Sequence, residues 1–166
     1  MIREANEYYS WDKKHVVIKV AMRGDGSGLE VISELHSQGI PVNATVMMTT
    51  TQAVLAAKAG ADYTSLFYNR IKDSGEDPIL VVRRTREIFD RTGMRAKIIV
   101  GSIRHPYDVM DAASAGAHIL TVPYKIMVQL PFHAKSEQTI EEFDKAWQEF
   151  VSVKQKQVVA ETIQRA

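Results

Sequence analysis

The sequence has no cysteine, and this absence excludes several classes of protein. A disulfide framework, a thiolate zinc site and a cysteine nucleophile all need the missing thiol. No apolar run approaches the roughly 20 residues that a membrane-spanning helix requires. The first residues, MIREANEYYSW, carry charges where a secretory signal is apolar. We therefore expect a cytoplasmic protein that does not act on a membrane.

The chain also lacks a large charge of one sign. Its 21 lysines and arginines nearly balance 20 aspartates and glutamates, which leaves a formal net charge of +1. No strong field would attract nucleic acid, so a small anionic substrate would have to be held by individual arginines. The five histidines show no metal-binding spacing. We expect neither a metal nor another cofactor.

In other respects the composition of the chain is ordinary. The apolar fraction is 45% and the charged fraction is 25%, values typical of a globular protein. A chain of 166 residues is long enough to bury a core. No linker or low-complexity tract interrupts it, so we expect a single domain over residues 1–166.

Short apolar runs rich in β-branched residues alternate with amphipathic runs along the chain. This alternation is typical of βα units that build a parallel sheet. Each predicted helix ends in a glycine, which readily takes the left-handed conformation past a helix end. The predicted strands are His15–Ala21, Pro41–Met47, Asp62–Phe67, Ala96–Ser102 and His118–Val122. The predicted helices between them are Gly28–Ser37, Thr51–Ala59, Pro78–Arg91 and Pro106–Ala115.

The two ends of the chain differ from this alternation. Residues 2–12 are predicted to form a helix before the first strand, and residues 137–165 one long helix. Apolar residues follow one stripe of the long helix: Ile140, Phe143, Trp147 and Val151, then less clearly Val158, Val159 and Ile163. Such a helix often packs on a neighbouring subunit, whereas a solvated tail beyond residue 152 is the alternative.

Lys19 lies in the middle of the first predicted strand, among apolar neighbours. Lysine is seldom fully buried without a partner. One interpretation is structural, in which the ammonium reaches the end of the strand and pairs with a carboxylate. The other is chemical, because burial favours the uncharged amine, which can attack a ketone. The spacing alone leaves both interpretations open.

Five segments in order resemble the transaldolase and fructose-6-phosphate aldolase family, from about residue 10 to residue 150. They are Val16-Val-Ile-Lys-Val, Gly39-Ile-Pro-Val-Asn-Ala-Thr, Ala59-Gly-Ala-Asp-Tyr-Thr-Ser-Leu-Phe-Tyr-Asn-Arg-Ile, Lys97-Ile-Ile-Val-Gly-Ser-Ile-Arg and Ala115-Gly-Ala-His-Ile-Leu-Thr-Val-Pro. A further segment, Thr139-Ile-Glu-Glu-Phe-Asp-Lys-Ala-Trp, resembles the last helix of the family. The resemblance implies a class I enzyme of the pentose phosphate pathway, with a (β/α)8 TIM barrel and a Schiff-base mechanism.

The same resemblance implies roles for individual residues. Lys19 would form the imine with the donor ketose, and Thr45 would help to hold the catalytic water. Ser65 would bind a terminal hydroxyl of the donor, and Phe67 would line the pocket. The group that resembles the family's phosphate site consists of Arg70, Ser102 and Arg104. The planar fork of arginine suits phosphate oxygens, so the implied substrate is a sugar phosphate.

Two departures from the family's pattern lie near the expected pocket. Family members have a proline two residues after the lysine and then a Thr-x-Glu-Gly turn, whereas this chain has Val20-Ala-Met and then Gly24-Asp-Gly-Ser-Gly. Phe67 is typical of transaldolases, while the aldolase branch has a proton-transferring tyrosine there and an asparagine like Asn69. Tyr68 would point to the opposite face of the strand. These residues favour transfer of a dihydroxyacetone unit, with cleavage of fructose 6-phosphate as the alternative.

The third departure concerns the number of strands. The family's barrel has three βα units before the lysine strand, and this chain has room there for one helix. Those units carry the family's proton-transferring aspartate, an asparagine and a glutamate that orients water. Five strands cannot close the barrel, so we expect a partial TIM barrel with open edges.

Several explanations of the missing strands stay open. The chain could be a fragment, one subunit of a split enzyme completed by another chain, or a homo-oligomer whose copies complete one another. A non-catalytic subunit that binds sugar phosphates or supports assembly is a second functional hypothesis. An unrelated phosphate-binding barrel, in which Lys19 is structural, is a third.

Overall fold

The computed structural model describes the backbone of residues 1–164 and the side chains of residues 1–155. The chain divides into two compact units, one from Met1 to Met127 and one that begins at Val128. That residues 1–166 form a single domain stays a prediction.

The first unit is built on a parallel sheet of five strands, in the order β1-β2-β3-β4-β5. Neighbours in the sheet are therefore neighbours in the chain, the order found in a (β/α)8 barrel. The strands are β1 Ile18–Ala21, β2 Val42–Met47, β3 Tyr63–Phe67, β4 Lys97–Gly101 and β5 Ile119–Leu120. The predicted α/β class with five parallel strands, consistent with a partial TIM barrel, is confirmed.

Seven helices precede, connect and follow these strands in the first unit, and one forms most of the second. They are α1 Ile2–Trp11, α2 Ser27–Ser37, α3 Thr50–Lys58, α4 Tyr68–Asp73, α5 Pro78–Thr92, α6 Pro106–Ser114, α7 Tyr124–Met127 and α8 Ala134–Gln164. The short helices α4 and α7 were not predicted, because one or two turns are too short to show an amphipathic period. Among the described helices, none is long and apolar enough to cross a membrane.

Local signals in the sequence begin and end the helices. Thr49 and Gln52 form a reciprocal capping box at the start of α3. The carboxylate of Asp77 accepts hydrogen bonds from two backbone N–H groups at the start of α5. Gly60, which follows α3, has φ 103°, and an added Cβ there would lie 2.3 Å from Cγ of His36. Glycine is required at that junction by both the backbone conformation and the close approach.

The two faces of the sheet differ in burial. Alternate side chains face the helices and are almost inaccessible, including Val20, Val42, Ala44, Leu66, Ile98 and Val100. The opposite face would line the interior of a closed barrel and is termed the inner face. Val17 and Ile119 on this face are 40% and 41% exposed, and Lys97 is exposed. The first unit therefore leaves much of its inner face uncovered.

The sheet has two open edges. One lies at β5, whose one partner among the described strands is β4, and the other lies at β1, which is paired with β2 alone. Beside the β1 edge, α1, β1 and α2 surround an apolar cavity of about 480 Å³, lined by residues that include Ala5, Tyr8, Val16, Ile18, Val31 and Leu35. The predicted open edges are thus present in the structure.

Helix α8 carries large apolar side chains that are more than half exposed. Ile140, Phe143, Trp147 and Phe150 are between 53% and 70% exposed, and the rings of Trp147 and Phe150 stack with centroids 5.6 Å apart. The predicted continuation of this stripe, at Val158, Val159 and Ile163, lies outside the described side chains.

Candidate active site

Lys19 lies on the inner face of β1, in register with Asn43 of β2. Its side chain is exposed, so the expectation that it is buried among aliphatic neighbours is wrong for this chain. The reason is the alternation of the strand, since its neighbour Val20 faces the helices while the inner face has no cover. Among the described residues Lys19 has no ion pair, so the carboxylate partner of the structural interpretation is not found.

Two polar side chains continue across the sheet from Lys19. The hydroxyl of Ser65 donates a hydrogen bond of 2.8 Å to Oδ1 of Asn43. Ser65 is 4% exposed, so this bond is sheltered from solvent. A shallow cavity of about 230 Å³ lies on the inner face, lined by Val17, Lys19, Asn43, Tyr63 and Ile99. Asn43 was not predicted as a site residue, although its position two residues before Thr45 was a usable signal.

Thr45 lies opposite Ala21, two residues farther along the strands than Lys19. It is 6% exposed, and its hydroxyl has no hydrogen-bond partner within the protein. The pairing of β2 with β3 shifts between Ala44 and Met47, and Val46 within this bulge has φ 61°. Bulges are frequent beside active sites, where they redirect a side chain.

The predicted phosphate-binding residues lie around the carboxyl ends of β3 and β4. The guanidinium of Arg70 lies 5.4 Å from the centre of the Phe67 ring, a cation–π contact. Phe67 is paired with Gly101, and Ser102 follows directly. The phosphate-binding residues were expected at the carboxyl ends of strands, but Arg70 lies on the short helix α4 that follows β3.

Arg104 is engaged by a carboxylate that sequence analysis missed. Its Nη1 and Nη2 atoms donate hydrogen bonds of 2.9 and 2.6 Å to the two oxygens of Asp73. This fork holds the pKa of Asp73 below its usual range and raises the pKa of Arg104. A phosphate would have to share the guanidinium with Asp73 or displace it. The available signal was the position of Asp73, three residues after Arg70.

Tyr68 belongs to the helix-covered side of the sheet. It is 3% exposed, and its hydroxyl makes a long contact of 3.5 Å with Asp111. Burial raises the pKa of Tyr68 to about 12, and the charge of Asp111 adds to the effect. The prediction that Tyr68 does not point towards the pocket is confirmed.

The site residues thus form two groups. The amine group consists of Lys19, Asn43, Thr45 and Ser65 on β1, β2 and β3, and the anion group consists of Phe67, Arg70 and Ser102. Ser65 and Phe67 are two residues apart on β3, a rise of about 7 Å, whereas Lys19 is level with Tyr63, two residues before Ser65. The anion group therefore lies nearer the carboxyl ends of the strands than the amine group. Arg104 turns to Asp73 and is not part of either group in this structure.

A lysine on the inner face of consecutive βα units, with arginine and serine side chains near the carboxyl ends of the strands, is an arrangement of TIM-barrel enzymes. A family model described as Transaldolase/Fructose-6-phosphate aldolase matches residues 1–166. The chain belongs to this family, and it is therefore a member of a family of enzymes.

Similar proteins share this assignment. The chain is 42% identical over 151 residues to a probable transaldolase of Alkaliphilus metalliredigens, a match that covers 91% of this chain and 69% of the relative. It is 43% identical over 148 residues to a probable transaldolase of Geobacter metallireducens, covering 89% and 68%. A relative from Bacillus cereus, probable transaldolase 2, is 42% identical over 149 residues, covering 89% and 66%. The chain spans about two thirds of the length of these relatives.

A solved structure of a mutant flavocytochrome b2 with pyruvate bound is similar in fold. The TM-score is 0.55 at 17% sequence identity, and the match covers 72% of this chain and 39% of the other. At this identity the likeness concerns the fold alone.

Proposed function

We propose that this chain is the lysine-bearing part of a transaldolase, which transfers a dihydroxyacetone unit between sugar phosphates through an imine at Lys19. The observation that carries the proposal is the inner face itself, where Lys19 is in register with Asn43, Asn43 is bonded to Ser65, and Arg70 and Ser102 follow the carboxyl ends of β3 and β4. A ketose bound at the amine would extend towards the carboxyl ends of the strands, where Arg70 and Ser102 lie. Such a transfer belongs to pentose phosphate metabolism, and we expect it in the cytoplasm.

The transfer proceeds through covalent bonds between the Lys19 amine and the substrate. The Lys19 nitrogen adds to the ketone carbon of the donor, and water leaves to form an iminium ion. The iminium accepts the electron pair of the neighbouring carbon–carbon bond as that bond breaks. An aldehyde departs, and the three-carbon unit stays on the lysine as an enamine. Addition of the enamine to an acceptor aldehyde, followed by attack of water on the new iminium, releases the product and restores the amine.

The polar residues around Lys19 suit the donor half of the sugar. Asn43 and Ser65 offer donors and acceptors to hydroxyl groups next to the carbonyl. The unpartnered hydroxyl of Thr45 is two residues farther along and can bind the attacking water. Phe67 offers an apolar wall and no proton, which favours transfer over cleavage.

Two requirements of this reaction are not met by the described inner face. The step that breaks the carbon–carbon bond needs a base for the hydroxyl proton, and no acidic residue lies on the inner face of β1 to β5. An amine attacks only when it is uncharged, and water favours its charged form. We therefore propose that further strands must cover the inner face to complete the enzyme.

Three further βα units, on this polypeptide or on a complementing chain, fit this requirement better than a second copy. Two copies of a five-stranded sheet would hold about ten strands, more than the eight of a closed barrel. A homo-oligomer whose copies cover one another in another way is the alternative. The length of the relatives supports the further units, since about a third of each relative lies outside the match.

Chemical trapping of the imine tests the proposal. Borohydride should reduce the adduct of fructose 6-phosphate with the chain, assembled with a polypeptide that contains the unmatched third of the Geobacter metallireducens relative. Mass spectrometry of peptides should locate the added mass on Lys19. Lys19→Arg should abolish the adduct, whereas Lys97→Arg should retain it, because Lys97 is a second exposed lysine on the inner face.

The products of the assembled sample decide between the two reactions. Release of free dihydroxyacetone would indicate cleavage, whereas its appearance only in a new sugar phosphate would indicate transfer. Absence of any adduct on Lys19 in an assembled, folded sample would refute the imine mechanism.

A non-catalytic subunit that binds sugar phosphates is the second candidate. The observation in its favour is the inner face itself, on which Lys19 is exposed and no described acid is found. Binding of fructose 6-phosphate without adduct or turnover, before and after mixing with the complementing polypeptide, would support this candidate.

A further inference from the structure

Two buried polar side chains have no part in the chemistry above. Asn69 on α4 and Asp108 on α6 are 3% and 5% exposed. The Nδ2 atom of Asn69 donates a hydrogen bond of 2.6 Å to Oδ2 of Asp108. Buried polar groups are almost always hydrogen-bonded, so the further partners of this pair indicate what it holds in place.

The other side-chain hydrogen bonds of the pair lead to one segment, Ser102–His105, which contains two of the predicted phosphate-binding residues. Asn69 donates a second bond from Nδ2, 2.8 Å long, to the carbonyl oxygen of Ser102, and its backbone N–H donates to the same oxygen. Oδ2 of Asp108 accepts bonds of 2.9 Å from the backbone N–H groups of Arg104 and His105. The pair thus binds three consecutive peptide groups of the loop between β4 and α6.

The loop needs such support because Ser102 has an unfavourable backbone conformation. Its φ is 60°, in the left-handed region that residues with a Cβ rarely adopt. A conformation of this kind persists only where surrounding contacts hold it, and it is frequent at binding sites. The two bonds to the Ser102 carbonyl are contacts of that kind.

Asp108 is held in its charged form by the same contacts. Burial alone would raise its pKa, but hydrogen bonds from the Arg104 N–H, Asn69 and the His105 N–H outweigh burial, so the pKa lies below its usual range. A charged acceptor makes stronger hydrogen bonds than a neutral one. The segment is therefore fastened by a carboxylate that solvent scarcely reaches.

We propose that Asn69 and Asp108 are positioning residues, which hold Ser102 and Arg104 for the phosphate of the substrate and so set the preference for phosphorylated sugars. The inference rests on the proposed function for the identity of the substrate. Both side chains act through the backbone of the segment and make no contact with the sugar.

The simpler alternative is that Asp108 only caps α6. The loss of a cap lowers stability but has no reason to change the preference between phosphorylated and unphosphorylated ligands. The ratio of the affinities for fructose 6-phosphate and for fructose therefore distinguishes the two roles, whereas a measurement of stability alone does not.

The test compares binding to the full chain and to three variants. Dissociation constants for fructose 6-phosphate, inorganic phosphate and fructose are measured by calorimetry or by shifts of backbone amide resonances. Asn69→Ala and Asp108→Asn should weaken fructose 6-phosphate and phosphate by about tenfold, the effect of one or two hydrogen bonds, and leave fructose unchanged. Asp111→Asn is the matched control, because this carboxylate lies one turn farther on α6 and contacts Tyr68 instead of the segment.

The outcomes distinguish this inference from the proposed function. The positioning role would be overturned by an unchanged ratio of the affinities for fructose 6-phosphate and fructose in folded variants, or by no phosphate binding in the wild type. Either result would count whatever is found at Lys19. An adduct on Lys19 together with unchanged ratios would leave the proposed function standing. If Asp108→Asn does not fold, Asn69→Ala decides alone, since it keeps the carboxylate and its bonds to Arg104 and His105.

Discussion

Two carboxylates contact Arg104, and they act on it in opposite ways. Asp73 binds the guanidinium with both oxygens, whereas Asp108 binds the backbone N–H and leaves the side chain free. The first contact competes with a phosphate for the same donors, and the second holds the residue in position. The affinity of the site for anions therefore depends on two aspartates that carry no role in the chemistry.

Asp73→Asn should strengthen the binding of inorganic phosphate several-fold. The neutral amide cannot form the charged fork with Arg104, so the guanidinium becomes free to meet an anion. Calorimetric titration measures the change, with Asp90→Asn as control, because Asp90 pairs with Arg86 instead. Weaker binding in Asp73→Asn would instead show that Asp73 orients Arg104 for the phosphate.

Tyr68 should make the stability of the chain depend on alkaline pH. Its pKa rises from 10.0 in the unfolded chain to about 12 in the folded one, so the unfolded state loses the proton first. The stabilisation is complete below pH 10 and is lost as the pH rises towards 12, by about 2 kcal/mol.

Urea unfolding at pH 9 and at pH 11 measures this effect. Between pH 9 and pH 11 the free energy of unfolding should fall less in Tyr68→Phe than in the wild type, because phenylalanine has no proton to release. Tyr107→Phe is the control, since Tyr107 is 83% exposed. Equal losses in Tyr68→Phe and the wild type would contradict the assignment.

At the scale of elements, the bulge in β2 determines which side chains meet the inner face. One extra residue between Ala44 and Met47 lets Met47 return to the core at full burial, while Thr45 lies opposite Ala21. The extra position falls on Val46, in the left-handed region that favours glycine. The strand thus carries a local strain next to the proposed site.

Val46→Gly should lower the stability of the chain by about 1 kcal/mol less than Val17→Gly. Relief of the left-handed valine is worth about 1–2 kcal/mol and is gained at Val46 alone. The entropy cost of glycine and the burial lost with the side chain are similar in the two variants, because both valines are 40% exposed. Thermal unfolding should show a midpoint higher in Val46→Gly than in Val17→Gly by roughly 2–4 °C.

Val17→Gly is the matched control for this substitution. Val17 is also 40% exposed but does not have a positive φ, so glycine there should lower the midpoint. Equal midpoints in the two variants would mean that the backbone at Val46 is not strained.

At the scale of the whole molecule, the open edge of β1 is the place where further strands would bind. The backbone N–H groups of Ile18 and Met22 donate to β2 and its flank, with bonds of 2.9 and 2.8 Å. In a parallel strand the intervening odd-numbered residues direct their N–H groups to the other side. Lys19 and Ala21 therefore present their amides to the unpaired edge.

The amides of Lys19 and Ala21 should exchange with solvent rapidly in the isolated chain, while those of Ile18 and Met22 are protected. Addition of the complementing polypeptide should slow the exchange of Lys19 and Ala21 by at least about tenfold, because new ladder bonds form there. Hydrogen exchange followed by amide resonances measures this. Protection that grows with the concentration of the chain alone would favour self-association instead.

Much of the fold and part of the site could be predicted from the sequence. The strands around Lys19 and Ser65 were found because apolar β-branched runs alternate with helical ones, and this pattern is local. The short helix α4 was missed, and with it the true location of Arg70. Asp73, Asn43 and Asp108 were missed because each gains its partner from a segment distant in the chain.

The sequence by itself determined the order of the elements, the parallel sheet and the family, since periodicity, glycine positions and ordered motifs are properties of short segments. Tertiary structure alone decided that Lys19 is exposed, that Asp73 occupies Arg104 and that Asn69 and Asp108 hold Ser102. These outcomes depend on which face of the sheet is covered and on contacts between residues about 30 to 40 positions apart. No local pattern records such contacts, because they exist only after the chain has folded.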